Sequence, residues 1–180
     1  MMAFEEAAKG AVTAMVCSGD AGIYGMAGLM YEIGEEYPEV AIEVIPGVTA
    51  ALGGSAVLGA AVGHDVSLIS LSDLLTPWEL IEERLRCAGK ADFVICLYNP
   101  SSRKRSTYLA KACEIMLEYK AEDTVCGIVK NIAREGETMQ TLTLKELKET
   151  TVDMFSTVFI GNKQTKVIRE KMVTPRGYRI

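Results

Sequence analysis

Only one histidine occurs in the 180 residues, so a metal site built on several imidazoles is excluded. His64 is left as the one side chain whose ordinary titration lies near neutrality. The five cysteines, Cys17, Cys87, Cys96, Cys113 and Cys126, include no CxxC pair and no Cys/His spacing suited to zinc, and their number is odd. Reduced, mostly buried thiols are therefore expected, with no protein-bound metal. Positive charge is also short: 19 Lys and Arg stand against 24 Asp and Glu, a formal net charge of -5. Binding to nucleic acid or to an anionic membrane normally needs a basic face, so neither partner is expected and only local clusters can hold anions. The first residues, MMAFEEAAKG, carry acidic side chains and no long apolar stretch. Neither a signal peptide nor a membrane anchor is therefore expected there, and the cytoplasm is the expected location. The dinucleotide fingerprint G-x-G-x-x-G is missing, which disfavours a nicotinamide-dependent oxidoreductase. No G-x-S-x-G elbow supports a hydrolase. Repeats, low-complexity tracts and Pro-rich linkers are lacking as well.

What is present is a hydrophobic fraction of 49% with 24% charged residues, enough to fold around a core. Short β-rich runs alternate with helical stretches, the pattern of a parallel α/β layer. The runs are Val12 to Cys17, Ile42 to Ile45, Val66 to Leu71, Phe93 to Leu97 and Thr124 to Val129. After Asn131 to Glu137 the pattern changes, with β-rich segments at Thr138 to Leu142 and Thr157 to Ile160, so a lobe boundary is expected between residues 1–130 and 131–180. Capping boxes are expected at Thr76-Pro77-Trp78-Glu79 and Thr143-Leu144-Lys145-Glu146. A helix from Val48 to about Ala61, made almost wholly of small residues, allows a close neighbour.

Three loops follow predicted strands, where parallel sheets leave backbone groups facing a crevice. Ser18-Gly19-Asp20-Ala21-Gly22-Ile23-Tyr24-Gly25 combines three glycines with an aspartate that suits an amine or a ribose hydroxyl. In Ile45-Pro46-Gly47-Val48-Thr49-Ala50, Thr49 either caps the next helix or meets a ligand. In Leu97-Tyr98-Asn99-Pro100-Ser101-Ser102-Arg103-Lys104-Arg105, three cations at a helix start oppose the helix dipole unless an anion neutralises them; a solvated face is the alternative. His64, beside Asp65, is a candidate proton carrier or a structural histidine.

Together SGDAGIYGMA, GHDVSLISLSDLLTPW and LYNPSSRKR resemble the tetrapyrrole methylase family, and within it the branch acting on precorrin-3B. The resemblance runs to TPRGY near the C-terminus. It implies two α/β lobes with the ligand cleft between them, the N-terminal lobe incomplete, because residues 1 to 11 do not match the first strand and Gly-Pro-Gly loop of the family. It also implies a homodimer and S-adenosylmethionine as methyl donor, lined by Ser18, Gly19, Asp20, Ile23, Thr49, Ala50, Tyr98 and Ile132. The implied reaction methylates ring carbon 17 of precorrin-3B, or of its cobalt-containing counterpart, with contraction of the macrocycle. In it His64 serves as acid/base, Arg103, Lys104 and Arg105 meet substrate carboxylates, and Ser70 and Ser72 contact substrate or donor. A sister enzyme methylating another ring carbon and a non-catalytic donor-binding fragment remain alternatives.

Overall fold

The computed structural model describes residues 1–102 and 104–178. The chain forms two compact units, Met1–Thr49 and Ala50–Ile180. Among the described residues no helix is long and apolar enough to cross a membrane.

The first unit carries α1 (Met2–Ala8) and α2 (Ala27–Gly34). Phe4 is its buried anchor, stacked on Tyr37 with ring centroids 5.2 Å apart. The expected strands 12–17 and 42–45 are not ladder strands here: both run without regular pairing. They wall an apolar cavity of about 660 Å³ with Phe4, Met30 and Val40. Val12, Val16 and Ile45 are exposed. The apolar pattern is present, yet a strand exists only where a neighbour accepts its hydrogen bonds, and the described residues provide none.

The second unit is built on a five-stranded sheet in the order β2-β3-β6-β4-β5. Its strands are β2 (Val66–Ser70), β3 (Val94–Tyr98), β4 (Val125–Lys130), β5 (Thr138–Thr143) and β6 (Ser156–Ile160). β2 and β3 are parallel, but β6 runs antiparallel between β3 and β4, so the layer is mixed rather than parallel. β4 and β6, from either side of the expected boundary after residue 130, are hydrogen-bonded neighbours, and the two compact units divide after Thr49.

Alternation along the strands separates two apolar layers, as the period of two requires. Ile95, Leu97, Cys126, Ile128, Val158 and Ile160 face α4 (Trp78–Lys90), α5 (Tyr108–Leu117) and α6 (Leu144–Lys148). Cys96, Val129 and Phe159 face the other way, towards α3 (Ala50–Leu58) and Met172. A small sheet of β1 (Gly59–Ala60), β8 (Lys171–Val173) and β7 (Lys166–Ile168) completes that side. The small residues of α3 do permit a close neighbour: a Cβ at Gly54 would lie 2.8 Å from the Phe159 ring and 3.1 Å from Ile132.

One of the two expected capping boxes forms. Thr143 accepts from the Glu146 N–H at 3.2 Å while Glu146 accepts from the Thr143 N–H at 2.8 Å. Thr143→Ala is expected to cost about 1 kcal/mol, read as a lowered midpoint in urea unfolding. At the other site α4 begins at Trp78 with Pro77 as its cap, and no side chain caps it. Pro77 takes an extended ψ of 142°, which moves the helix start one residue later than Thr76 requires. All five cysteines are free, with Cys96, Cys113 and Cys126 buried; burial pushes the Cys113 thiol up to about 12, so these are packing residues and not nucleophiles.

Candidate functional site

In the first unit, two loops are joined back to back. The Asp20 carboxylate accepts from the Gly22 N–H at 2.8 Å through Oδ1 and from the Gly47 N–H at 2.9 Å through Oδ2. The Gly47 and then the Gly22 amide hold its pKa below the usual carboxylate range. Gly19 has a φ of 78°, and the backbones touch so closely that a Cβ on Gly47 would fall 2.1 Å from the Gly19 carbonyl oxygen. Ser18, Gly19, Asp20 and Thr49 are thus brought to one place, with Thr49 buried. Ile23, Tyr24 and Met26 present apolar surface from the same loop, at 36%, 54% and 38% exposure. Asp20 therefore acts first as the clamp between the loops. The Ile23 amide also bears on this carboxylate, and with about four lone-pair sites it keeps room for one further donor, an amine or hydroxyl.

In the second unit, the strand directions place the carboxyl ends of β2, β3 and β4 on one edge of the sheet. The Tyr98 hydroxyl accepts from the Ala51 N–H at 2.9 Å, which ties the start of α3, and with it Ala50, to that edge. Ile132 reaches the same helix at Gly54. Asn99 and Asn131, the residues just after β3 and β4, both take left-handed φ angles, 51° and 53°. Asparagine tolerates that conformation better than most residues, and it turns each chain sharply out of the sheet. Asn99 donates from Nδ2 to the Ser70 Oγ at 2.9 Å. Tyr98, Ser70, Ala50 and Ile132 therefore share one end of the unit, and Asn99 and Asn131 are additions to the sequence-based set. Asparagine directly after an apolar strand was the available signal for both.

Next to this edge, Arg105 Nη1 donates to the Ser72 Oγ at 2.6 Å and Nε to the Ser102 Oγ at 3.0 Å. Asp73 Oδ1 lies 3.5 Å from the same guanidinium. Tyr108 donates its hydroxyl to Asp73 Oδ2 at 2.6 Å. That bond, more than Arg105, holds the Asp73 carboxyl below its usual range and lifts the Tyr108 phenol above its own. For Arg105, then, the neutralising anion is Asp73 of the same chain. Lys104 is exposed, and Arg103 lies outside the described residues.

His64 is not brought to this edge. It lies before β2, at the end opposite Ser70, and the ends of that strand are about 13 Å apart at ~3.3 Å per residue. Its Nδ1 accepts from the Asp65 N–H at 2.8 Å. Its neighbour Gly63 packs on the Thr174 carbonyl, which marks the segment as a structural junction.

A family model described as Tetrapyrrole (Corrin/Porphyrin) Methylases matches residues 1–148. Over 177 residues the chain is 48% identical to a Salmonella typhimurium protein named probable cobalt-factor III C(17)-methyltransferase, covering 98% of this chain and 73% of that one. A Priestia megaterium protein named cobalt-factor III methyltransferase is 44% identical over 181 residues, 98% of this chain but 34% of that longer protein. Among solved structures, the methyltransferase CobJ aligns with a TM-score of 0.88 and 33% identity, over 96% of this chain and 73% of that chain. A uroporphyrin-III C-methyl transferase from Thermus thermophilus, complexed with S-adenosyl homocysteine, aligns at 0.64 with 18% identity, over 87% of this chain and 69% of that one. That is a likeness of fold alone.

Proposed function

This chain belongs to the tetrapyrrole methylase family, and from that premise we propose that it methylates ring carbon 17 of precorrin-3B or cobalt-factor III. S-adenosylmethionine is the donor, the macrocycle contracts in the same reaction, and the step belongs to cobalamin biosynthesis. The single observation that carries the reading is the 48% identity extending over 98% of the chain, which includes every loop described above.

The residues present fit the donor. S-adenosylmethionine supplies, when bound, an electrophilic methyl group on a sulfonium centre. In the first unit the proposed donor residues Ser18, Gly19, Asp20, Ile23 and Thr49 include one charged group, and it is negative, which suits a cationic ligand. Ile23 offers apolar surface, and the fused loops offer backbone amides and carbonyls held in fixed directions. In the second unit the proposed donor residues are Ala50, Tyr98 and Ile132. Tyr98 acts by holding the start of α3 through the Ala51 amide. The chain's own work is alignment and exclusion of water: pre-set geometry can supply several kcal/mol, about 7 or more in well-oriented cases, and a dry site strengthens every polar contact. Ser70 and Ser72 at the β2 end and Lys104, exposed in the loop after β3, are proposed to face the carboxylates of the tetrapyrrole. The homodimer and the cytoplasmic location belong to the same proposal by family resemblance.

Titration calorimetry with S-adenosylhomocysteine tests the donor half of the reading. Saturable binding with a raised melting temperature is expected, and a folded chain that binds none contradicts it. His64→Ala is expected to leave the single-turnover methylation rate within about twofold. A general acid or base contributes ~100- to 10,000-fold, so a loss of that size would place His64 in the mechanism.

A further inference from the structure

We propose that Asp73 is a positioning residue for the tetrapyrrole: through Arg105 and Tyr108 it fixes the loop after β3, and Arg105 is part of that clasp and not a ligand for substrate carboxylates. The inference deepens the functional reading above and rests on it for the identity of the bound molecule.

Three observations carry it. Arg105 spends its guanidinium inside the protein, on Ser72 from the loop after β2, on Ser102 from its own loop and on Asp73. Its side chain is only 15% exposed, whereas Lys104 beside it is exposed. Asp73 closes the ring from the other side by accepting the Tyr108 hydroxyl at the first residue of α5. Tyr108 is itself clamped, its ring 4.3 Å from the Trp78 ring at the start of α4, with the Lys111 ammonium over both rings. The clasp therefore connects the loops after β2 and β3 to the first turns of α4 and α5. Those two loops start beside Ser70, the last residue of β2, and at Asn99, which donates to it at the sheet edge. A carboxylate from outside would have to displace Asp73 from Arg105, and it would gain nothing that Asp73 does not already supply.

The sign of one substitution separates the two roles. Asp73→Asn keeps the shape but removes the internal counter-charge. If Arg105 were a substrate ligand, this change would free it and tighten binding of a polycarboxylate. As a positioning residue, Asp73 once neutralised lets the loop drift, and binding weakens. The probe is uroporphyrin III, a tetrapyrrole octacarboxylate, followed by fluorescence quenching, with calorimetry of S-adenosylhomocysteine in parallel. We expect Asp73→Asn and Arg105→Lys each to weaken uroporphyrin binding by about five- to tenfold and to leave S-adenosylhomocysteine affinity within about twofold. Tyr108→Phe, which removes only one hydroxyl and preserves the ring stack, is expected to act in the same direction with a smaller effect and an unchanged fold. Tighter or unchanged uroporphyrin binding by Asp73→Asn or Tyr108→Phe overturns the inference, as does a wild-type chain that binds no uroporphyrin. Failure of the wild-type chain to bind S-adenosylhomocysteine would instead sink the methylase reading, and the porphyrin arm would still decide the role of Asp73.

Discussion

Gly47→Ala is expected to abolish binding of S-adenosylhomocysteine, with affinity falling at least about a hundredfold, while the cooperative unfolding of the Ala50–Ile180 unit is retained. The added Cβ would stand 2.1 Å from the Gly19 carbonyl oxygen and 3.3 Å from the Asp20 Cα. The atoms in the way are backbone, which cannot rotate aside as a side chain can. Relief requires the two loops to separate, and separation breaks the bond from the Gly47 amide to Asp20. Calorimetry reads the loss of binding, and near-ultraviolet circular dichroism, dominated by Trp78 in the second unit, reports whether that unit is intact. A Gly47→Ala chain that binds normally would show that the loop pair plays no part in donor recognition. The same clamp fixes the pH dependence. The folded-state pKa of Asp20 is depressed, so its contribution is fully present above the ordinary carboxylate value of about 4. It is lost only as the pH falls through the depressed value. Donor affinity is therefore expected to be flat across the neutral range.

The largest loss of stability is expected from Lys120→Met. This ammonium is almost fully buried, its side chain 2% exposed, and it meets Asp92 Oδ1 and the Phe93 carbonyl, both at 3.0 Å. Asp92 sits in a left-handed turn with a φ of 55°, and its other oxygen accepts from the Lys163 N–H. One buried pair thus fastens the turn before β3 to the end of α5 and to the segment after β6. Removing one partner of such a pair costs about 3–5 kcal/mol. Asp92 is 29% exposed and can recover some hydration, which points to the lower figure and to a melting temperature lowered by about 6–12 °C. Adding Asp92→Asn to Lys120→Met is expected to restore part of the loss, as coupled partners require. The exposed pair Lys145–Glu122, 69% and 66% exposed, provides the contrast: Lys145→Met is expected to leave the melting temperature unchanged.

Local patterns in the sequence were read well where the structure had a local cause. The strands at 66–70, 94–98, 125–130, 138–143 and 156–160 fall within a residue or two of their apolar runs. The Thr143 box was legible because both of its bonds join residues three apart. The order of the sheet was not legible, since nothing within Ser156–Ile160 states that it pairs between β3 and β4. The same holds for Asp73 and Arg105, 32 positions apart in sequence, where three consecutive cations suggested an external anion and the fold supplied an internal one. Segments 12–17 and 42–45 have the composition of strands, but pairing is a property of neighbours and not of composition. His64 was singled out by its chemistry alone. Its distance from Ser70 follows from the direction of β2, which only the topology reveals.

The central claim is methyl transfer to one ring carbon, and a single turnover with donor carrying a carbon-13 methyl group tests it most directly. The chain, labelled S-adenosylmethionine and precorrin-3B or cobalt-factor III would be mixed and the product examined by carbon NMR. The account predicts one labelled methyl on ring carbon 17 of a contracted macrocycle, with one S-adenosylhomocysteine released for each. Label on another ring carbon, or donor bound by a folded chain with no label transferred, would contradict it.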